Sequence, residues 1–117
     1  MNSLQIEKCV LETIENAISS IILEKNEYLN ISKNENDKLI LNNLIQKILG
    51  EFEEEKLINQ SSFKFNDLKN KLTIVYVPFT LIENEYVPYK VTHNLFLDDY
   101  NKSTLSVYDK LTNMLRM

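Results

Sequence analysis

Glycine occurs once in this chain of 117 residues, proline twice, cysteine and histidine once each, and tryptophan not at all. With one glycine, the phosphate-cradling loops of Walker and dinucleotide-binding types are excluded, because each needs several glycines to bring backbone N–H groups up to the anion. The single cysteine, Cys9, has no partner within the chain and supports neither a disulfide framework nor a thiolate metal site, which suits a reducing compartment. The single histidine, His93, would have to borrow Cys9 or a distant serine as nucleophile, and no flanking residue points to such a pair. There is no basic block, and acidic residues outnumber basic ones 17 to 13, so the electrostatic footprint of a nucleic-acid binder is missing. No apolar run reaches the roughly 18 residues of a membrane span. The stretch MNSLQIEKCV lacks both the basic region and the small-residue cleavage site of a secretory signal. These absences lead to the expectation of a cytoplasmic protein with no nucleic-acid partner, membrane, metal or cofactor.

Hydrophobic residues at 44% and charged residues at 26% are ordinary for a folded protein, and the length fits one domain, residues 1–117. The abundance of lysine over arginine, with frequent asparagine and isoleucine, is a bias that an AT-rich coding sequence would produce without functional pressure, so the asparagines carry no functional weight at this level. From Leu4 to Leu23, apolar residues recur mostly at steps of three and four, predicting a first amphipathic helix over about residues 4–24. Residues 24–38 are polar and read as a connection, ending in a candidate capping box of Ser32 and Glu35. Leu41, Leu44, Ile45, Ile48, Leu49 and Phe52 predict a second helix over about residues 33–53, with Gly50 as a candidate for its end. The acidic EFEEEK that follows reads as a solvated face.

Past Asn59 the period changes from helical to strand-like. Phe63 and Phe65 alternate with Ser62 and Lys64, allowing a short strand before the turn NDLKNK. Residues 71–82 are β-branched and aromatic on both faces, so this strand is expected to be covered on both sides, with a bulge or an edge at Pro78. A second long strand follows over 86–97, then a polar turn DDYNKS and a third strand over 104–108, in which Leu105 and Val107 point inward. The tail from Asp109 fits either a last strand or a helical turn. The predicted class is α+β: two amphipathic N-terminal helices packed on one face of an antiparallel sheet of three to four strands.

For chemistry, His93 shares a strand face with Leu95 and Leu97 and reads as a sheet residue with one hydrogen-bond partner, and Asp98 and Asp99 read as turn residues. The aromatics lie on predicted strands without the lysines and arginines that a nucleic-acid platform needs, so they read as packing. What the strands offer is area and edges. Apolar residues on both faces exceed what two helices can cover, which asks for a second copy of the chain or an extended peptide added to an edge.

The order of two helices followed by antiparallel strands resembles the Tctex type of dynein light chain. CVLETIENAISSIILEKNEYL looks like that family's first helix, DKLILNNLIQKILGEF like its second, and KLTIVYVPFTLIENEYVPYKVTHNLFLDD like its long hairpin. Phe96, Leu97 and Asp98 stand where the family tends to have an aromatic, a tryptophan and an aspartate, and Tyr108 and Asp109 match an aromatic and acidic pair in its next strand. The resemblance implies a non-catalytic, cytoskeleton-associated homodimer that exchanges a strand and receives an extended segment of a dynein intermediate chain or cargo adaptor. By position, Phe96, Leu97, Leu105, Val107 and Tyr108 would form the peptide-binding edge. The alternative is a small acidic dimeric chaperone or assembly subunit that shields a partner's segment.

Overall fold

A computed structural model describes residues 2–79, 81, 82 and 85–105. Two helices, α1 (Ser3–Lys25) and α2 (Glu35–Glu54), precede the strands β1 (Ile58–Asn66), β2 (Lys71–Pro78), β3 (Leu81–Ile82), β4 (Glu85–Tyr86) and β5 (Val91–Phe96). A third helix, α3, runs over residues 97–105. The class is α+β, with an antiparallel three-stranded sheet in the order β1-β2-β5 and a separate two-stranded β3-β4 ladder.

On α1 the buried residues are Ile6, Val10, Ile14, Ile18 and Ile22, a strict i+4 ridge along one side of the helix. Each such side chain stabilises the fold by about 1.5–3 kcal/mol relative to an exposed one. Asn2 and Gln5 close a capping box at the start of α1, a signal that the reading of the sequence passed over. At α2 the expected cap moves. Asn34, not Ser32, is the N-cap, and its side chain accepts from the backbone N–H groups of Asn36 and Asp37. Ser32 instead donates its hydroxyl to Asn30 at 2.6 Å. Gly50 does not end the helix, which continues to Glu54.

Strand pairing fixes the two faces of the sheet. Phe63 pairs with Ile74 and Phe65 with Leu72, while Ile74 pairs with His93 and Leu72 with Leu95. These residues and Tyr76 therefore share one face, and their apolar members join the buried side chains of α1 and α2 in a single core. The other face carries Ser62, Lys64, Thr73, Val75, Thr92, Asn94 and Phe96, much more polar than the sequence pattern of β2 alone suggests. β2 is covered because it is central, with a partner on each edge. Pro78, paired with Ile58, ends it, and the bulge lies in β1 between Asn59 and Ser62, opposite the stretch from Val75 to Val77, where Gln60 adopts φ 51°.

Three expectations change. The strand preceding residue 71 is nine residues long and forms one edge of the sheet, where only a short strand was expected. The long strand expected over 86–97 divides, with β4 pairing to β3 and β5 beginning at Val91, because Pro88 lies between them and offers no N–H to a ladder. The polar turn after β5, and the third strand as far as it is described, are helical: Thr104 and Leu105 belong to α3. Asp98 and Asp99 fall in the first turn of α3, where carboxylates favour a helix, and Leu97, Tyr100, Asn101, Thr104 and Leu105 recur at helical spacing. The remainder of that strand, residues 106–108, and the tail lie outside the described residues.

The connection between α1 and α2 is less polar in its role than in its composition. Leu29 and Ile31 are buried, and three successive backbone N–H groups donate to side chains from three different elements. Leu29 donates to Asn101 Oδ1 at 2.9 Å, Asn30 to Asp37 Oδ2 at 3.0 Å, and Ile31 to Asn70 Oδ1 at 2.9 Å. The Leu29 carbonyl accepts from both Asn70 Nδ2 and Asn101 Nδ2. Asp37 is also ion-paired with Lys25. Asn70 sits at φ 49° in the β1-β2 turn, accepts from the Leu97 N–H through its own carbonyl, and donates to Asp98. Asparagine suits the spot because it tolerates the left-handed region and its amide both donates and accepts. Replacement by alanine would leave buried groups unpaired and strain the turn. Asn70→Ala is expected to lower stability by about 3 kcal/mol in urea unfolding, and Asn70→Gly by about 1 kcal/mol less, since glycine restores only the backbone freedom.

Candidate functional site

The chain's one histidine lies on the helix-facing side of β5. His93 Nε2 is 2.8 Å from the Tyr76 hydroxyl, and the two rings are tilted with centroids 5.4 Å apart. Burial pushes the Tyr76 phenol well above its usual range, with the charges of Glu7 and Tyr89 adding to the effect. Burial pushes His93 down, against an upward pull from Glu7 and Glu15. A neutral phenol and a neutral imidazole thus share one hydrogen bond. Nearby, the Tyr89 hydroxyl donates to Glu7 at 3.3 Å and the Tyr100 hydroxyl to Glu15 at 2.6 Å, tying the segments before and after β5 to α1. Tyr100 is likewise pushed up, mainly by burial and then by its bond to Glu15. Each of these side chains has a structural partner, and the cluster reads as a polar seam between α1 and the β5 side of the sheet. Among the described residues no group of three His, Cys, Asp or Glu side chains could hold a metal, and no helix is long and apolar enough to cross a membrane.

The residues expected to receive a peptide do not form one edge. Phe96 ends β5 on the outer face, 44% exposed, with the Lys71 ammonium 5.7 Å from its ring centroid. Leu97 is fully buried at the start of α3. Leu105 is part-buried against the core from within α3, since helical spacing turns it inward beside Tyr100. Val107 and Tyr108 lie outside the described residues. Of the five, Phe96 alone is shown on a strand.

The other edge of the sheet has the form of a receiving site. Among the described residues β1 pairs only with β2, which leaves its far edge without a strand partner among them. Between that side and α2 lie two cavities of about 430 and 410 Å³. The first is lined by Leu39, Asn42 and Phe65 among others, the second by Gln46, Leu49, Gly50 and Phe63. A third, of about 180 Å³, lies against Ser62, Lys64, Thr73 and Val75 of the outer face. Phe63 and Phe65 meet edge to face with centroids 5.9 Å apart and are only half-buried, although they pack on the core. Gly50 opens the helix side of this groove, because a Cβ built there would meet nothing within 4 Å.

One end of the edge is closed. At the bulge, the Ser61 N–H donates to Glu53 Oε1 at 3.0 Å and the Ser61 hydroxyl donates to the same oxygen, which holds the Glu53 carboxyl below its usual range. A carboxylate there occupies a donor that a neighbouring strand would otherwise use, as do the bulges and inward charges that protect natural sheet edges. Among the described residues, the stretch from Ser62 to Asn66 has no strand partner on the side beside the cavities.

Comparison with protein-family models, with curated proteins and with solved structures finds no match to this chain.

The histidine supplies a test of the seam. Because the native ring takes up a proton only below its ordinary value of 6.5, stability is full above that pH and falls as pH drops from it through the lower native value. No other side-chain type ordinarily titrates in this window. Urea unfolding is expected to show stability declining from about pH 7 to about pH 5, and His93→Asn to flatten that decline.

Proposed function

We propose that this chain is a non-catalytic binding module that takes an extended polypeptide segment as an added strand on the open edge of β1. The observation that carries the reading is a strand edge with no second partner among the described residues and with concavities on both faces. An added strand sends alternate side chains to opposite faces, so one set has seats over α2 and the other over Thr73 and Val75. Main-chain hydrogen bonds along residues 62–66 supply affinity, and coverage of Phe63 and Phe65 adds apolar burial.

The narrower form of the proposal is the one that the family resemblance implies: a homodimeric dynein light chain of Tctex type that binds an intermediate-chain or cargo-adaptor segment in the cytoplasm, in association with the cytoskeleton. Two helices ahead of an antiparallel sheet support it. A long strand before residue 71 and a helix over 97–105 weigh against its strand order. Light scattering of the purified chain tests the dimer, whose mass would be twice 13.8 kDa.

Gly50 separates binding from folding. Gly50 borders the second cavity and a Cβ there meets nothing within 4 Å, so a large side chain has room to reach across the groove, and glycine inside a helix costs about 1 kcal/mol relative to alanine. Gly50→Ala is expected to raise stability by about that amount, and Gly50→Phe to melt no lower than the unchanged chain. Intermediate-chain peptides, followed by fluorescence anisotropy, should bind the unchanged chain, slow amide exchange over residues 62–66, and lose at least about tenfold in affinity with Gly50→Phe. Slowed exchange over 91–96 instead would move the receiving edge to β5.

A further inference from the structure

Charge selects among the occupants that the β1 edge could take. The charged side chains of α2 that border the groove are Glu35 and Lys38 at one end and Glu53 at the other. Lys38 is already held by Asp67 at 3.0 Å and lies 5.9 Å from the Phe65 ring centroid, so the carboxylates set the sign on the α2 side, while Lys64 borders the smaller concavity on the outer face. Glu54 stands four residues beyond Gly50, one turn along the same side of the helix. Glu51, Glu53, Glu54 and Glu55 crowd the C-terminal end of α2, where the last turn holds no basic residue and the helix itself presents partial negative charge. None of the four is in an ion pair among the described residues.

A second copy of the chain fits this edge poorly. Two-fold antiparallel pairing of β1 with β1 would lay the acidic end of each α2 beside the Glu35 end of the other, where the one bordering lysine, Lys38, is already paired with Asp67. A dimer formed through another surface is unaffected.

Resting on the β1-edge reading, we infer that the segment added to β1 is a basic one from a different protein: apolar side chains alternate toward the cavities, and lysine or arginine meets Glu53 and Glu54. The closed end of the edge then has a role. A cation that draws the Glu53 carboxylate toward itself releases the Ser61 N–H, so pairing extends through the bulge only for a partner that brings positive charge. Acidic and neutral segments leave that donor occupied and meet an unrelieved negative rim, which gives discrimination by a repulsive element as well as an attractive one.

The test is selection of a displayed library of random peptides on the purified chain, followed by anisotropy of the enriched peptides on variants. Enriched sequences are expected to alternate apolar residues and to carry lysine or arginine toward one end. Their binding should weaken about tenfold in the Glu53→Gln, Glu54→Gln double variant and with added salt, and be lost in Gly50→Phe. Gly50→Leu repeats the block if the phenylalanine variant fails to fold. Enriched peptides that are neutral or acidic, are indifferent to the glutamines and are lost with the Gly50 block would overturn the basic partner and leave the edge reading standing. No enrichment, or binding that survives both Gly50 variants, would overturn both.

Discussion

Three consecutive backbone N–H groups, those of Leu29, Asn30 and Ile31, lie buried or part-buried in a connection with no secondary structure of its own, and each finds a side-chain acceptor. The acceptors come from α3, α2 and the β1-β2 turn. That requirement joins the helical half of the chain to the strand half more specifically than apolar packing does, because packing tolerates sliding and an amide bonded in two directions does not. The core sets how much surface is hidden. The asparagine and aspartate acceptors set where α1 and α2 enter and leave it, and hence where α2 runs beside β1. The groove exists because α2 is held at that distance from the sheet.

The same constraint leaves the sheet narrow. Apolar side chains of α1, α2, the connecting segment and the sheet share one core, β2 has a neighbour on each side, and the edges are finished differently. β5 runs directly into α3, and hydroxyl bonds on either side of it reach α1. β1 ends in a bulge whose free donor is taken by a glutamate, but between that bulge and the turn its outer side faces open concavities. An edge guarded at one end and open beside a groove differs from the uniformly blunted edges of sheets that bind nothing.

Much of this fold was legible in the sequence. The spacing of Ile14, Ile18 and Ile22, and of Leu41, Ile45 and Ile48, gave both helices within a few residues, and the β-branched run from Leu72 to Val77 gave the central strand. The rest failed for identifiable reasons. Asn70 and Asn101 were discounted as compositional bias, yet their amides hold the connection together, and nothing in a lone asparagine announces a buried partner some forty or seventy residues away. Leu29 and Ile31, two apolar residues two apart in a polar stretch, were a usable sign of a docked extended segment. Aspartates in DDYNKS suggested a turn, when the same residues also favour the first turn of a helix. The strand over 58–66 was underestimated because β1 is interrupted by a bulge and shows little alternation ahead of Phe63. The candidate site followed the error: residues assigned to a third strand belong in part to α3, and the open edge is formed by a strand that had been read as short.

The bond between Leu29 and Asn101 spans 72 residues, which has a meaning for a chain being made from its N-terminus. At about 5–20 residues per second, roughly 4–14 s separate the synthesis of the two partners. During that interval α1 and α2 can form as helices, while the carbonyl and N–H of Leu29 face water and the apolar ridge of α1 has no finished sheet to rest on. A ribosome-bound chain that has emerged only as far as α2 thus carries the apolar ridge of α1 without the strands that complete its core.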